Sequence, residues 1–385
     1  MLPLMLPLNW QRVRLGDILT LKHGRDYKNF KLGNIPVYGS GGYMLSINNF
    51  LHNGESICIG RKGTIDKPIY LNGKFWVVDT LFYSYSFKKS IPKFIFYAFS
   101  IIKWSNYNEA TGVPSLTKMT ISNIEIPLPP LNEQIAIANI LSDLDRYLCA
   151  LDALILKKEG VKKALSFELL SQRKRLKGFN QAWQRVRLGD IILSLKTGLN
   201  PRKFFKLNTP NANNYYVTVR ELEEYTIKFT HQTDRIDDNA LSLCLKRSNL
   251  EKDDVLFSGT GTIGKVSIIK ENPNNWAIKE GIYSIKPNKK IVFPRFLMFC
   301  FENLNIQNDI KSKSSEGIVK SISMNDLQQI IIPLPPLNEQ IAIANILSDL
   351  DNEIISLKNK KRQFENIKKA LNHDLMSAKI RVLEK

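Results

Sequence analysis

The sequence predicts an α+β chain built twice: two mixed β domains with short helices, separated by two long helices that pair as an antiparallel coiled coil in a pseudo-two-fold internal repeat. Three observations carry this. IPLPPLNEQIAIANILSDLD at Ile126–Asp145 recurs at Ile332–Asp351 with all 20 residues identical. WQRVRLGDI at Trp10–Ile18 recurs at Trp183–Ile191, and the stretches between these landmarks diverge in almost every residue. After each IPLPPLNEQ runs a breaker-free stretch with apolar residues at heptad spacing. The landmark offsets are 206 and 173 residues, so the second copy holds a net 33 extra residues. Identical segments suit two equivalent surfaces, and different inserts suit two different targets.

In chain order, MLPLMLPLN is apolar but lacks a basic flank, is interrupted by Pro3 and Pro7, and is too short for a signal peptide or a membrane span. The first insert reads as strands at Ser56–Gly60, Lys67–Leu71 and Lys74–Phe87, then a proline-started helix over Pro92–Trp104. The second repeats the plan: strands at Asp254–Ser258, Lys265–Lys270 and Tyr283–Lys286, and a helix over Pro294–Asn308. Its extra length falls mainly in Arg202–Asn249. Prolines forbid helix up to Pro130 and Pro336. Beyond them Ile137, Leu144, Leu151 and Leu165 form one row and Leu141, Leu148, Ile155 and Leu169 its companion. In the second copy the rows are Ile343, Leu350, Leu357, Phe364 and Leu371, with Leu347, Ile354 and Leu375. Lys158, Lys162, Lys361 and Lys368 interrupt the seam. Each helix extends for roughly 40 residues, or about 60 Å. Ser171–Ala182 reads as turn and linker, with Gly178 as the helix stop. The division expected is 1–130, 131–182, 183–336 and 337–385.

Charge points to a polyanion. The chain has 55 Lys and Arg against 36 Asp and Glu, a net +19. Residues 1–130 carry +8 and 183–332 carry +6, whereas 131–182 and 333–385 carry +3 and +2. Nucleic acid fits better than membrane, because no segment is a basic amphipathic helix with an apolar far face. Cys58, Cys149, Cys244 and Cys300 are scattered, without CxxC pairing or zinc-like spacing, which fits a reducing cytoplasm.

Catalytic signatures are missing. GTGTIGK at Gly259–Lys265 satisfies the glycine and lysine positions of a phosphate loop, but Val266 stands where Ser or Thr should ligate magnesium. Its counterpart GRKGTIDK at Gly60–Lys67 has Asp66 in place of the second glycine. A tight basic turn whose backbone approaches a nucleic-acid phosphate is the better reading. No HExxH, nucleophile elbow or adenosine-cofactor fingerprint occurs. Candidate DNA contacts are Lys22, Arg25, Lys28, Lys31, Tyr38, Ser40, Tyr43, Arg61 and Lys62 in the first insert. In the second they are Arg202, Lys203, Lys206, Tyr215, Arg220, Thr260, Lys265, Lys311, Lys313 and Lys320. Asn132, Glu133, Gln134, Asn338, Glu339 and Gln340, at the starts of the identical helices, are the candidate partner-binding residues.

WQRVRLGDI, the two glycine turns, Gly112–Leu116 and above all the doubled IPLPPLNEQ before a long helix resemble the specificity subunit of type I restriction–modification systems, over essentially the whole chain. The resemblance implies two target recognition domains, each reading one half of a split double-stranded DNA sequence, on an antiparallel coiled-coil spacer. It implies two modification (methyltransferase) subunits that use S-adenosylmethionine, restriction subunits that use ATP and magnesium, and no catalytic residue, cofactor or metal in this chain. The alternatives are an autonomous DNA-modifying enzyme and a non-enzymatic coiled-coil interaction protein.

Overall fold

The computed structural model describes residues 6–315, 317 and 319–382, without the side chains of Arg202 and Lys203. The chain divides into two units, Met1–Leu154 with Leu357–Lys385, and Ile155–Ser356. Both long helices are continuous, Leu131–Leu170 and Leu337–Met376, so each unit holds the first part of one and the last part of the other.

The two sequence landmarks prove to be neighbours in space. In the first unit Gln11–Arg14 pairs antiparallel with Glu125–Leu128, Val13 opposite Ile126. In the second, Gln184–Arg187 pairs with Ile331–Leu334, Val186 opposite Ile332. The following LGDI tucks Leu15 and Ile18, or Leu188 and Ile191, into the core at 4% exposure or less. Each landmark strand thus begins and closes its own insert.

The inserts share a scaffold despite their divergence. One four-stranded antiparallel sheet runs Thr20–His23, Leu81–Tyr85, Ser56–Gly60, Ile69–Leu71; its counterpart runs Ile192–Thr197, Ile282–Pro287, Val255–Ser258, Val266–Ile268. The second sheet of each unit contains a parallel pair, Leu32–Gly39 with Lys74–Val77 and Asn214–Val217 with Trp276–Ile278. The extra residues of the second insert form much of its smaller sheet together with the helix Asp238–Ser248. That helix starts at Asp237, whose side chain accepts the Ala240 N–H, and stops at Asn249 in left-handed conformation (φ +49°).

Several expected elements differ. The run Lys74–Phe87 is two strands, Lys74–Val77 and Leu81–Tyr85, because the chain crosses from one sheet to the other at Val78–Thr80. The helix over Pro294–Asn308 is two, Pro294–Cys300 and Leu304–Ser312, because Asn303 caps a new helix by accepting the Asn305 N–H. The first long helix ends at Leu170, before Gly178, with Gln172 taking the left-handed turn (φ +61°).

Each core joins its insert to the helix pair. Phe94, Tyr97, Phe99 and Trp104 pack with Ile137, Ala138, Leu141, Leu375 and Met376 in the first unit. In the second, Phe296, Phe299 and Phe301 pack with Leu169, Leu170, Ile343, Ala344 and Leu347. Within each unit the helices run antiparallel, and lysines that break the heptads face acids: Lys361 meets Asp152 at 2.7 Å, and Lys158 meets Glu353 at 2.8 Å.

Asp254 supplies a pH test of the second unit. Its carboxylate is 2% exposed and accepts the Glu251 N–H at 2.9 Å and the Ser284 hydroxyl at 3.1 Å. Burial outweighs these bonds and pushes its pKa up to about 6. A carboxyl raised on folding binds its proton more tightly in the folded state, so its contribution weakens as pH rises from about 4 to 6, by at most about 1.4 kcal/mol per pH unit. Urea unfolding across that window is expected to lose this slope in Asp254→Asn; an unchanged slope contradicts the assignment.

Candidate nucleic-acid interface and its framework clamp

The prolines before each long helix deliver Glu133 and Glu339 to its first turn, where the helix dipole favours an anion. Both are buried, at 2% and 0% exposure. Glu133 accepts the Trp10 indole N–H at 3.0 Å and a two-pronged contact from Arg381 at 2.7 and 3.0 Å. Glu339 accepts Trp183 at 3.0 Å and Arg175 at 3.2 and 2.7 Å. Each arginine lies just beyond the C-terminus of the opposite helix, so one carboxylate ties a landmark strand, a helix start and a helix end. Gln134 and Gln340 are fully buried beside them. Gln134 accepts the Ile91 N–H at 3.0 Å and donates to the carbonyls of Lys89 and Pro129 at 3.0 and 2.8 Å. Gln340 repeats this with Phe293, Ile291 and Pro335 at 2.8, 3.0 and 2.8 Å.

The six residues at the helix starts therefore divide. Glu133, Gln134, Glu339 and Gln340 are spent inside the chain, while Asn132 and Asn338 are exposed. Exposed beside them on the identical segments are Leu131, Ile135 and Ile341, at 50%, 48% and 38%. Sequence reasoning missed Trp10, Trp183, Arg175 and Arg381 as partners of the carboxylates. The signal was present, because Arg175 and Arg381 keep the 206-residue offset beyond the identical stretch.

The first unit gathers three loops. Gly63 N–H donates to the Pro114 carbonyl at 2.9 Å, Leu116 N–H to Arg61 at 2.9 Å, and Lys62 bridges Ser115. The Ser40 amide reaches the Thr80 hydroxyl at 3.3 Å, bringing the hairpin turn to the same place. Glycine is required at Gly60, where a Cβ would lie 1.9 Å from the Thr64 carbonyl oxygen, and at Gly63, which has φ +85° and space only to Ser40. Tyr38, Ser40, Arg61 and Lys62 come together here; Tyr43, 62% exposed, stands edge-on to Tyr38 at 6.1 Å. Lys22 lies elsewhere, over the Tyr85 ring at 4.4 Å. Lys31 is at the base of the hairpin, its carbonyl accepting the Asn48 N–H, while Arg25 and Lys28 are exposed on the preceding loop.

The second unit repeats the loop clamp with other residues. Gly261 N–H donates to Lys320 at 2.8 Å, Ile322 N–H to Gly259 at 2.9 Å, and Thr260 bridges Ser321. Gly259, Gly264 and Lys265 also spend their amides internally, on Gly281, Ser258 and the Ser258 hydroxyl, and the chain continues as strand Val266–Ile268. Most of the glycine-turn amides are thus spent inside the fold, which leaves the side chains as the main groups these turns present. Lys206, Lys311 and Lys320 are exposed. Lys265 is drawn to the Val219 carbonyl at 3.3 Å, Lys313 to Asp309 at 3.4 Å, and Arg220 to Asp234 at 3.0 Å. Arg220 also borders an open cleft of about 440 Å³ with Phe229, Thr230 and Gln232. Tyr215 stacks on Phe229 at 4.3 Å, with the Arg235 guanidinium 4.5 Å from its ring centre. The sequence reading named neither Phe229 nor Arg235. The side chains of Arg202 and Lys203 lie outside the described residues.

No group of three or more His, Cys, Asp or Glu among the described residues is placed to hold a metal ion, and no described helix is long and apolar enough to cross a membrane. Burial pushes the thiols of Cys58 and Cys244 up to about 12 and 11, and that of Cys300 up as well, the opposite of an activated nucleophile.

The doubled framework matches a known family in both copies. The model of the type I restriction modification DNA specificity domain matches residues 7–158 and again 180–366. The chain belongs to this family. A type I restriction enzyme specificity subunit of Methanocaldococcus jannaschii, MjaVIII, is 26% identical, with 98% of this chain and 95% of the relative covered. The EcoBI specificity subunit of Escherichia coli is 21% identical over 89% of this chain and 79% of its own. The crystal structure of a type I restriction–modification S subunit from M. genitalium has the same fold, with a TM-score of 0.67 over 97% of this chain and 98% of that one, at 18% identity.

In this specificity subunit the clamp carboxylates are expected to be structural. Reversal in Glu339→Lys sets a buried lysine against Arg175 and is expected to cost about 3–5 kcal/mol. The check is urea unfolding of the full chain, and an unmoved midpoint contradicts the buried clamp.

Proposed function

We propose that this chain is the non-catalytic specificity subunit of a type I restriction–modification complex and binds a bipartite, asymmetric double-stranded DNA sequence. Residues 1–130 and 183–336 are its recognition domains, each reading one half-site; 131–182 and 337–385 carry the helices that space them. The observation that carries this is one framework built twice and bearing two different, positively charged bodies. The convergence of Tyr38, Ser40, Arg61 and Lys62 around one glycine turn supports direct contact there, with Tyr43 beside it, and Thr260 and Lys320 occupy the matching turn of the second unit. Lys22, Arg25, Lys28 and Lys31, and Lys206, Tyr215, Arg220, Lys265, Lys311 and Lys313, supply phosphate and base-edge contacts around them, with Arg202 and Lys203 assigned from sequence alone.

Two modification subunits dock on the equivalent helix starts, through Asn132 and Asn338 and the exposed apolar residues next to them, while Glu133, Gln134, Glu339 and Gln340 hold those starts in place. S-adenosylmethionine, ATP and magnesium belong to the modification and restriction subunits, and the complex works in the cytoplasm.

The purified chain alone is expected neither to methylate nor to cut DNA, and to bind it with an affinity that falls steeply with salt. Methyl transfer by the chain alone, abolished by a point change within it, contradicts the proposal. Ile135→Asp with Ile341→Asp is expected to cut capture of the methyltransferase subunit at least tenfold with the unfolding midpoint unmoved; undiminished capture places the docking face elsewhere. If the helices set the spacing, one heptad added after both Leu151 and Leu357 lengthens the unread spacer by about three base pairs, from about 10 Å of helix and roughly 3.4 Å per base pair. Mapping of methylated adenines reads this directly, and an unchanged spacer rules out the ruler.

A further inference from the structure

The four lysines that break the heptads are its strongest unexplained feature, because each finds an acid on the opposite helix. Two pairs are copies of one another. Asp145 and Asp351 occupy the same place in the repeat, as do Lys162 and Lys368, and Lys368 pairs with Asp145 while Lys162 pairs with Asp351 at 2.8 Å. Both members of the second pair are nearly out of solvent, at 13% and 12% side-chain exposure.

Each pair also takes a tyrosine hydroxyl from its own insert, by a different route. Tyr97 donates to Asp145 at 2.6 Å. The equivalent helix position in the second unit is Phe299, which has no hydroxyl; Tyr225, from a loop in the extra sequence, stands edge-on to Phe299 at 5.7 Å and brings its own hydroxyl to Lys162. In the first unit the hydroxyl meets the acid and in the second it accepts from the lysine, so each pair gains a tyrosine partner by its own route. Elsewhere the same register position is filled freely: Tyr147 against Phe364 in one unit, Lys158 against Glu353 in the other.

The apolar rows by themselves do not choose a register. Sliding one helix by seven residues keeps leucine and isoleucine facing one another but sets Lys162 opposite Ala344 or Lys358, and brings Lys158 to Lys360 in one of the two directions. Either slip breaks both Asp–Lys pairs. Asp351 then faces Ile155 or Leu169, whereas the first unit re-forms one pair, Lys361 with Asp145 or Lys368 with Asp152, so the cost of burying unpaired charge falls on the second unit.

We propose that Lys162 with Asp351, and Lys368 with Asp145, are positioning residues that lock the two long helices in one register and thereby fix the half-site spacing. The spacing clause rests on the ruler reading above; the register clause does not. The test labels exposed Cys149 and Gln363→Cys, which lie between the cross-helix contacts Tyr147–Phe364 and Asp152–Lys361 in the first unit, and measures their spin–spin distance in the full chain; Cys58, Cys244 and Cys300 are buried. The parent is expected to give one distance. Lys162→Met with Lys368→Met is expected to add a second, longer distance in at least about a tenth of molecules, from a slide of about 10 Å along the helix axes, with the unfolding midpoint lowered because Asp351 is left buried without its partner, and Lys162→Arg with Lys368→Arg to restore one distance. A single unshifted distance in the methionine variant overturns the lock. Lys162→Met with Asp351→Leu, which removes both members of the buried pair, applies the same criterion should the double variant not fold. Methylated sites mapped with the variant in its complex are expected to gain spacers changed by about three base pairs. A second register with unchanged spacers upholds the lock and overturns the ruler.

Discussion

A buried carboxylate at the start of each long helix is the contact on which the rest of the structure depends. Glu133 and Glu339 reach the core because two prolines hold the chain extended until the helix begins, and each meets a tryptophan from one landmark and an arginine from beyond the other helix. An ionised group at 2% exposure or less is tolerated only with such a set of partners. Every partner sits in a framework segment, and neither clamp draws on the divergent interior of an insert. A change of loop in an insert therefore leaves the two carboxylate clamps in place.

The seam between the helices works on a different principle. Its leucines and isoleucines supply attraction that a heptad shift would largely preserve, whereas the buried Lys162–Asp351 pair has one good arrangement. The two units reach that arrangement with one conserved Asp–Lys pair and two unrelated tyrosines, Tyr97 from a helix and Tyr225 from a loop. Burial raises the pKa of Asp351, and Lys162 opposes this by stabilising its ionised form. Such a pair adds little net stability compared with apolar packing and much discrimination between alternatives.

Much of this was legible beforehand for physical reasons. Repetition betrayed the architecture, heptad spacing betrayed the helices, and proline placed their starts at Leu131 and Leu337. Divergent stretches were harder. Val78–Thr80 looks like continuous strand because the crossing between two sheets leaves no glycine or proline there, and Asn303 stops one helix by beginning another. Glu133 and Gln134 read as surface because charge and amide usually are; only their bonds to distant Trp10, Arg381 and Ile91 show otherwise. The glycine turns read as anion cradles, but the Gly63 and Gly261 amides go to Pro114 and Lys320 across the fold, which local sequence cannot reveal. The basic loop residues were nameable as a set, and the arrangement of Tyr38, Ser40, Arg61 and Lys62 around one turn was not.

The central claim is that two interchangeable inserts on one duplicated framework each specify half of a DNA sequence. Replacing residues 192–331 by residues 19–125, at junctions inside the paired landmark strands' framework, gives a chain with the first insert twice. Assembled with its methyltransferase partner, it is expected to methylate sites made of two inverted copies of one half-sequence, the half that the parent reads through its first domain. Methylated sites that keep the parent's second half-sequence would contradict the claim.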